Sequence, residues 1–245
     1  MGNDSLIRHA DGSLIVPANE LDWEEWVSAS SIHNFLLNDP LVDWLDRYGA
    51  ARGFVRDDHL AGYDPRSDMA TFIFRKGAEF EAAVVAHLRT LTSMETVAAG
   101  PEHVRDLAKA QRTFELMIEG VPIIHQGVLR HAQTRTYGAP DLIVRSDILA
   151  HLFPGAIDPA EGRIPAPDLR GPWHYRIVDI KFSTLHLKVG RSLGNGGSSP
   201  AYKGQIYVYT RALGALQGYL PPLAYGLGRG WEQTIKGETL RGSNM

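Results

Sequence analysis

The run Tyr175-Arg176-Ile177-Val178-Asp179-Ile180-Lys181 constrains this chain more than any other segment. Its apolar, β-branched residues read as a strand of a sheet core. Side chains on a strand alternate between faces, so Asp179 and Lys181 point the same way. A second run, Gly138-Ala139-Pro140-Asp141-Leu142-Ile143-Val144, has the same character, with Asp141 set at its start. A carboxylate and an ammonium on one strand face, beside a second carboxylate, make a place where a divalent cation can sit next to an activated water. That is the minimal equipment for cutting a phosphodiester. Taken alone, Asp179 and Lys181 read more readily as an ion pair on a sheet edge than as a site.

Hydrophobic periodicity organises the rest. Helices are expected from Ser28 to Tyr48, with Ser28, Ser30 and Ser31 as N-caps and Pro40 in a first turn. A polar loop follows from Arg52 to Asp68. A strong helix is expected over Met69–Leu91, with Phe72, Phe80, Val84, Val85 and Leu88 as its apolar stripe, and another over Glu102–Glu119. Val121–Leu129 and Tyr137–Arg145 read as paired strands. Residues 147–173, broken by Pro154, Pro159, Pro165, Pro167 and Pro172, read as an inserted loop. Strand Tyr175–Phe182 comes next, then a Gly/Ser-rich connection from Leu185 to Pro200. A helix over Ala201–Leu216 and a short strand over Leu223–Leu227 complete the pattern. The order predicts an α/β fold, a mixed central sheet flanked by helices, with a helical N-terminal part. It divides into a lead-in (1–26), one domain (27–235) and a polar tail (236–245).

Composition sets limits. The formal net charge of −3 over 245 residues gives no bulk attraction for nucleic acid, so DNA binding must use a local basic patch. The absence of cysteine excludes disulfides, thiolate zinc sites and a cysteine-ligated iron–sulfur cluster. The ten histidines show no zinc-site spacing, and His125 reads as a core residue on a strand. No Gly-x-x-x-x-Gly-Lys-Ser/Thr loop is present, so no ATPase is expected. No apolar run reaches the ~20 residues of a membrane helix. The first residues lack the order of a signal peptide, so the expectation is a cytoplasmic protein without membrane attachment.

The order Asp141…Asp179-x-Lys181 on consecutive strands resembles the core of the PD-(D/E)XK nuclease superfamily, and Pro140-Asp141 matches its literal "PD". Gly77-Ala78-Glu79-Phe80-Glu81 is similar to the Gly-x-x-aromatic-Glu element of RecB-like and phage-exonuclease-like members. Lys203-Gly204-Gln205-Ile206-Tyr207-Val208-Tyr209 matches the Gln-x-x-x-Tyr element of the RecB-like branch. Segments 27–32 and 39–45 also resemble the start of such domains, so the likeness spans roughly 27–230. The acid before the lysine is Asp, where Glu is more frequent in the superfamily. The missing cluster cysteines set the chain apart from iron–sulfur members.

The resemblance implies a restriction-endonuclease-like fold and Mg²⁺- or Mn²⁺-dependent hydrolysis of DNA, exonucleolytic or endonucleolytic. The setting would be DNA repair, recombination or phage or virus DNA processing, with a helicase or recombination protein as a partner in trans. It implies Asp141, Asp179, Glu81 and the backbone carbonyl of Ile180 as metal ligands. Lys181 would position and activate the water, and Gln205 would orient the site.

Several alternatives stay open. Glu79 competes with Glu81. Gln205 also reads as a loop cap, and Tyr209 equally as a DNA contact or a core residue. Arg75 and Lys76 read as a phosphate clamp or a solvated helix end. Lys188, Arg191, Lys203 and Arg211 form a candidate DNA-facing patch or an ordinary surface. Trp173 and Trp231 read as packing residues or as platforms for bases. The rival reading of the whole chain is a catalytically degenerate nuclease fold that binds DNA or a protein.

Overall fold

A computed structural model of the protein describes residues 22–243. The expected lead-in lies outside them except for 22–26, where Trp23–Glu25 form one 3₁₀ turn. The elements begin with β1 (Val27–Ser28), α1 (His33–Leu36), α2 (Pro40–Trp44), α3 (Met69–Leu91), β2 (Met94–Thr96) and α4 (Leu107–Glu119). Four short strands follow: β3 (Ile123–His125), β4 (Leu129–His131), β5 (Thr136–Gly138) and β6 (Leu142–Arg145). The chain continues with α5 (Ser146–Leu152), β7 (Tyr175–Leu187), α6 (Ser199–Gln217), β8 (Tyr225–Ile235) and β9 (Glu238–Ser243).

The architecture is mixed α/β. A six-stranded sheet has the order β2-β3-β6-β7-β8-β9, and a three-stranded sheet has the order β1-β5-β4. In the larger sheet β2/β3 and β7/β8 are parallel and the other pairs antiparallel. The helix α6 is the crossover between the parallel pair β7 and β8, as a parallel connection requires. Alternate residues of β3, β6 and β7 divide between two cores. Ile124, Ile143 and Ile177 pack with Phe114 and Met117 of α4 and with Tyr209 and Leu213 of α6. Ile123, Leu142, Val144 and Val178 pack with Phe80, Val85 and Leu88 of α3. Both faces are covered, which is why these strands read as near-continuous apolar runs.

Helix α3 has the expected bounds, and its start is fixed by Asp68, whose carboxylate accepts the Thr71 N–H at 3.0 Å. Its stripe is buried only from Phe80 onward. Phe72 is 43% exposed, because the sheet meets the later turns alone. The stretch 121–145 forms two hairpin-like pairs, since Gln126 takes a positive φ of 51° and breaks the expected first strand.

Residues 147–173 are more ordered than a loop, for they carry most of α5 and a 3₁₀ turn at Glu161–Arg163. What pins this stretch is Arg176, fully buried on β7. Its guanidinium donates to His174 Nε2 (2.9 Å), to the Tyr225 hydroxyl (3.0 Å) and to Glu161 Oε1 (2.5 Å). Glu161→Ala leaves that cation buried without its carboxylate and is expected to cost about 3 kcal/mol. Urea unfolding measures it, and a loss below about 0.5 kcal/mol, the scale of an exposed pair, would show that water replaces the carboxylate.

The C-terminal end also differs from expectation. Strand β8 runs well past Leu227, and 238–243 of the expected polar tail is strand β9 on the sheet edge. Gly226, Gly228 and Gly230 hide the alternation of β8 because they have no side chains to alternate. Strand β9 is mostly exposed and so has no apolar face to show. The two are joined by Lys236-Gly237, both at positive φ (51° and 86°), the backbone of a tight hairpin turn. Among the described residues, no helix is long and apolar enough to cross a membrane.

Candidate active site

Sheet register brings the two aspartates together. Leu142 pairs with Val178 across β6 and β7, so one further step along the antiparallel register sets Asp141 opposite Asp179. The distance along the chain between them is absorbed by α5 and the stretch that Arg176 anchors. Asp141 is tied to β7 through its Oδ2, which accepts the Ile180 N–H at 2.6 Å. The expectation named the Ile180 carbonyl; the group that contacts an acid is the N–H.

Lys181 shares the Asp179 face, as alternation requires. Its Nζ lies 2.7 Å from Asp179 Oδ2 and donates to Gln205 Oε1 at 3.2 Å. Directly after Lys181 the β7/β8 register slips by one residue before Thr184, a bulge that re-aims the strand beside the site. The Tyr202 ring of α6 stands 5.3 Å from the same ammonium.

Gln205 is fixed from behind. Its Nε2 donates to the Tyr209 hydroxyl one helical turn on, at 3.1 Å. Tyr209 is only 4% exposed. Of its two readings the structure supports the core one: its ring braces Gln205 and is not offered to a DNA strand. The Gly138 of the Gly-Ala-Pro-Asp run makes this possible, because a Cβ there would lie 2.6 Å from the Tyr209 ring.

Of the two glutamates on α3, Glu81 faces the acids. Its Oε1 accepts from Gln126 Nε2 (2.9 Å) and is 3.2 Å from His125 Nε2. The same Gln126 amide reaches Asp141 Oδ1 at 3.3 Å, so one carboxamide bridges two carboxylates. Glu79 is instead exposed and paired with Lys76 (2.7 Å) and Arg75 (3.8 Å). Those two cations are thereby committed to a solvated helix surface. His125 and Gln126 were not foreseen as site residues. Their signal was weak: a polar pair, followed by Gly127, ending an apolar strand. On its other side His125 Nδ1 is hydrogen-bonded with the Thr96 hydroxyl (3.1 Å), which accepts from Arg89 (2.7 Å). A cavity of about 420 Å³ opens beside Glu81 and His125.

The electrostatics are those of crowded acids. Burial, then the like charge of Asp179, pushes the Asp141 carboxyl up to about 8. Burial also raises Asp179, against the pull of Lys181. Hydrogen bonding from His125 holds Glu81 below the usual range despite its partial burial. Burial alone would lower Lys181, but Asp179 and Asp141 outweigh it and the net shift is upward. The lysine is therefore an ammonium here, suited to hold an anion or a water rather than to take a proton.

Asp179 is 1% exposed, and its Oδ2 has the Lys181 charge nearby but no hydrogen bond of acceptable angle. Three carboxyls thus face one ammonium, which lies against the buried Asp179 Oδ2. That set suits a hard divalent cation. Among the described residues, no three His, Asp or Glu side chains stand converged as a finished metal site. Gln126 occupies the space between Glu81 and Asp141 instead.

The remaining candidates lie apart. Lys203 donates to Asn195 (2.5 Å), and its ammonium is lowered by desolvation and by Lys188. Arg191 sits at positive φ (62°) on the turn after β7. Trp173 is covered by the Arg145 guanidinium, 4.7 Å from its ring.

No protein-family model matches this chain, no curated protein matches its sequence, and no solved structure matches its fold.

Proposed function

We propose that this chain is a divalent-metal-dependent nuclease that hydrolyses DNA phosphodiester bonds, on a restriction-endonuclease-like core of the PD-(D/E)XK type and its RecB-like branch. The observation that carries the reading is the meeting of Asp141, Asp179, Lys181 and Gln205, distant in sequence, through strand register and one helix face. An ion pair serving stability alone has no need of a second buried carboxyl pushed up to about 8 beside it.

Asp141, Asp179 and Glu81 would hold Mg²⁺ or Mn²⁺. When bound, the ion supplies positive charge to the phosphate and lowers the pKa of a coordinated water. Lys181 positions the attacking water and offsets charge on the phosphate. Gln205 keeps the Lys181 side chain in place, and buried Tyr209 keeps Gln205 in place. A helicase or recombination protein in trans fits the same reading as a partner.

The purified chain is expected to degrade linear DNA with Mg²⁺ or Mn²⁺ and not with EDTA. Asp179→Ala is expected to remove the activity. Cleavage that survives Asp179→Ala removes Asp179 from the chemistry, and DNA binding with no cleavage under either metal turns the reading towards a binding module.

A further inference from the structure

A second cavity, of about 900 Å³, opens between α6, the turn following β7, the 220–224 segment and β8. Three cations line it: Arg191, Lys203 and Arg211. Among the described residues none of them, nor neighbouring Lys188, makes an ion pair with a carboxylate, whereas most arginines on α3 and α4 do. Between these charges the lining is chiefly apolar, and three aromatic residues belong to it: Tyr207, Trp231 and Tyr225, the last with its hydroxyl tied to Arg176 and to the Ala156 carbonyl. Tyr207 is 65% exposed on α6, a large ring left open on this face.

The turn that presents Arg191 is held from inside. Gln233, only 7% exposed, donates its amide to the carbonyls of Lys188 (2.5 Å) and Val189 (3.2 Å). Lys188 N–H donates to Ser192 O and Arg191 N–H to Lys188 O, each at 2.8 Å. A buried side chain thus fixes a strained surface turn whose exposed product is a cation over the cavity. The helix α6 links this place to the acids: Gln205 faces Lys181, while Lys203 and Tyr207, two residues to either side, line the cavity.

We propose that this cavity binds unpaired nucleotides of a single DNA strand, with Arg191, Lys203 and Arg211 taking phosphates and Tyr207 and Trp231 taking bases. The inference rests on the nuclease reading and deepens it by naming the strand form of the substrate. Unpaired cations around apolar walls need a ligand that is both anionic and flat. A single strand offers phosphates and bare base faces together; a duplex keeps its base faces stacked inside and offers phosphates alone.

Binding of a labelled oligothymidylate of about 12 nucleotides is measured by fluorescence anisotropy in EDTA, where no cleavage interferes. The single strand is expected to bind about tenfold tighter than a duplex of the same length. Tyr207→Ala is expected to weaken the single strand about tenfold with its salt dependence unchanged. Arg191→Glu is expected to weaken it and to flatten the salt dependence as well. No binding, equal binding of duplex, or an unchanged affinity in Tyr207→Ala overturns the inference. The two readings separate cleanly. Mg²⁺-dependent cleavage with an unaffected Tyr207→Ala sinks the cavity and leaves the nuclease. The expected binding pattern without cleavage under Mg²⁺ or Mn²⁺ keeps the cavity and sinks the nuclease.

Discussion

Lys181→Ala is expected to reduce Mg²⁺-dependent DNA cleavage by about 10³-fold, the scale of one lost electrostatic or proton-handling group at a reacting centre. The side chain is the sole cation among the contacts described for the acids, 2.7 Å from Asp179 Oδ2 and 3.2 Å from Gln205 Oε1. Its upward-shifted pKa keeps it charged at neutral pH, so the loss is that of a fixed positive charge. Lys181→Arg keeps the charge but replaces a compact ammonium by a planar fork, and should restore only part of the rate. Gln205→Ala should lower the rate less than Lys181→Ala, because it loosens the ammonium without removing it. The comparison is made at saturating Mg²⁺, with thermal unfolding as a check that each variant is folded. A rate for Lys181→Ala within about tenfold of the native one is too small for that role and would remove Lys181 from the chemistry.

Asp141→Asn is expected to act in opposite directions on stability and on metal. Asp141 has a folded-state pKa of about 8, raised from 3.8 by burial and by Asp179. A raised acid favours the folded state only while it is protonated in both states. Stability from this group is therefore complete below about pH 4 and drains away as pH rises towards 8. Asparagine has no such proton to lose. In EDTA the variant should match the native protein near pH 4 and melt roughly 5 °C higher at pH 8. Mg²⁺ or Mn²⁺ should raise the Tm of the native protein at pH 8 and leave Asp141→Asn unmoved. Because the cation must displace a proton, native affinity should rise about tenfold per pH unit below 8. Calorimetry in two buffers of different ionisation enthalpy detects the released proton. A variant that melts lower than the native protein at pH 8 in EDTA would mean that Asp141 is a structural hydrogen-bond acceptor, not a strained acid.

Local rules made much of this readable in advance. The 3.6-residue pattern defines α3, and the β-branched runs define β6 and β7. The period of two on β7 requires Asp179 and Lys181 to share a face, and the four-residue spacing on α6 requires Gln205 and Tyr209 to do the same. Where the pattern failed, a physical signal was missing. The glycines of β8 cannot alternate, β9 shows no apolar face, and the insert carrying α5 is held by Arg176 and Glu161, which meet only in the fold.

By itself, the sequence determined which side chains each strand and helix would present together, because those periods are fixed by backbone geometry within a few residues. Tertiary structure alone decided that Asp141 stands opposite Asp179, that Gln126 bridges Glu81 and Asp141, and that Tyr209 is buried while Tyr207 is open. Those outcomes depend on register between separate strands and on which helix face meets the sheet. Long-range packing sets both, and no local pattern encodes them.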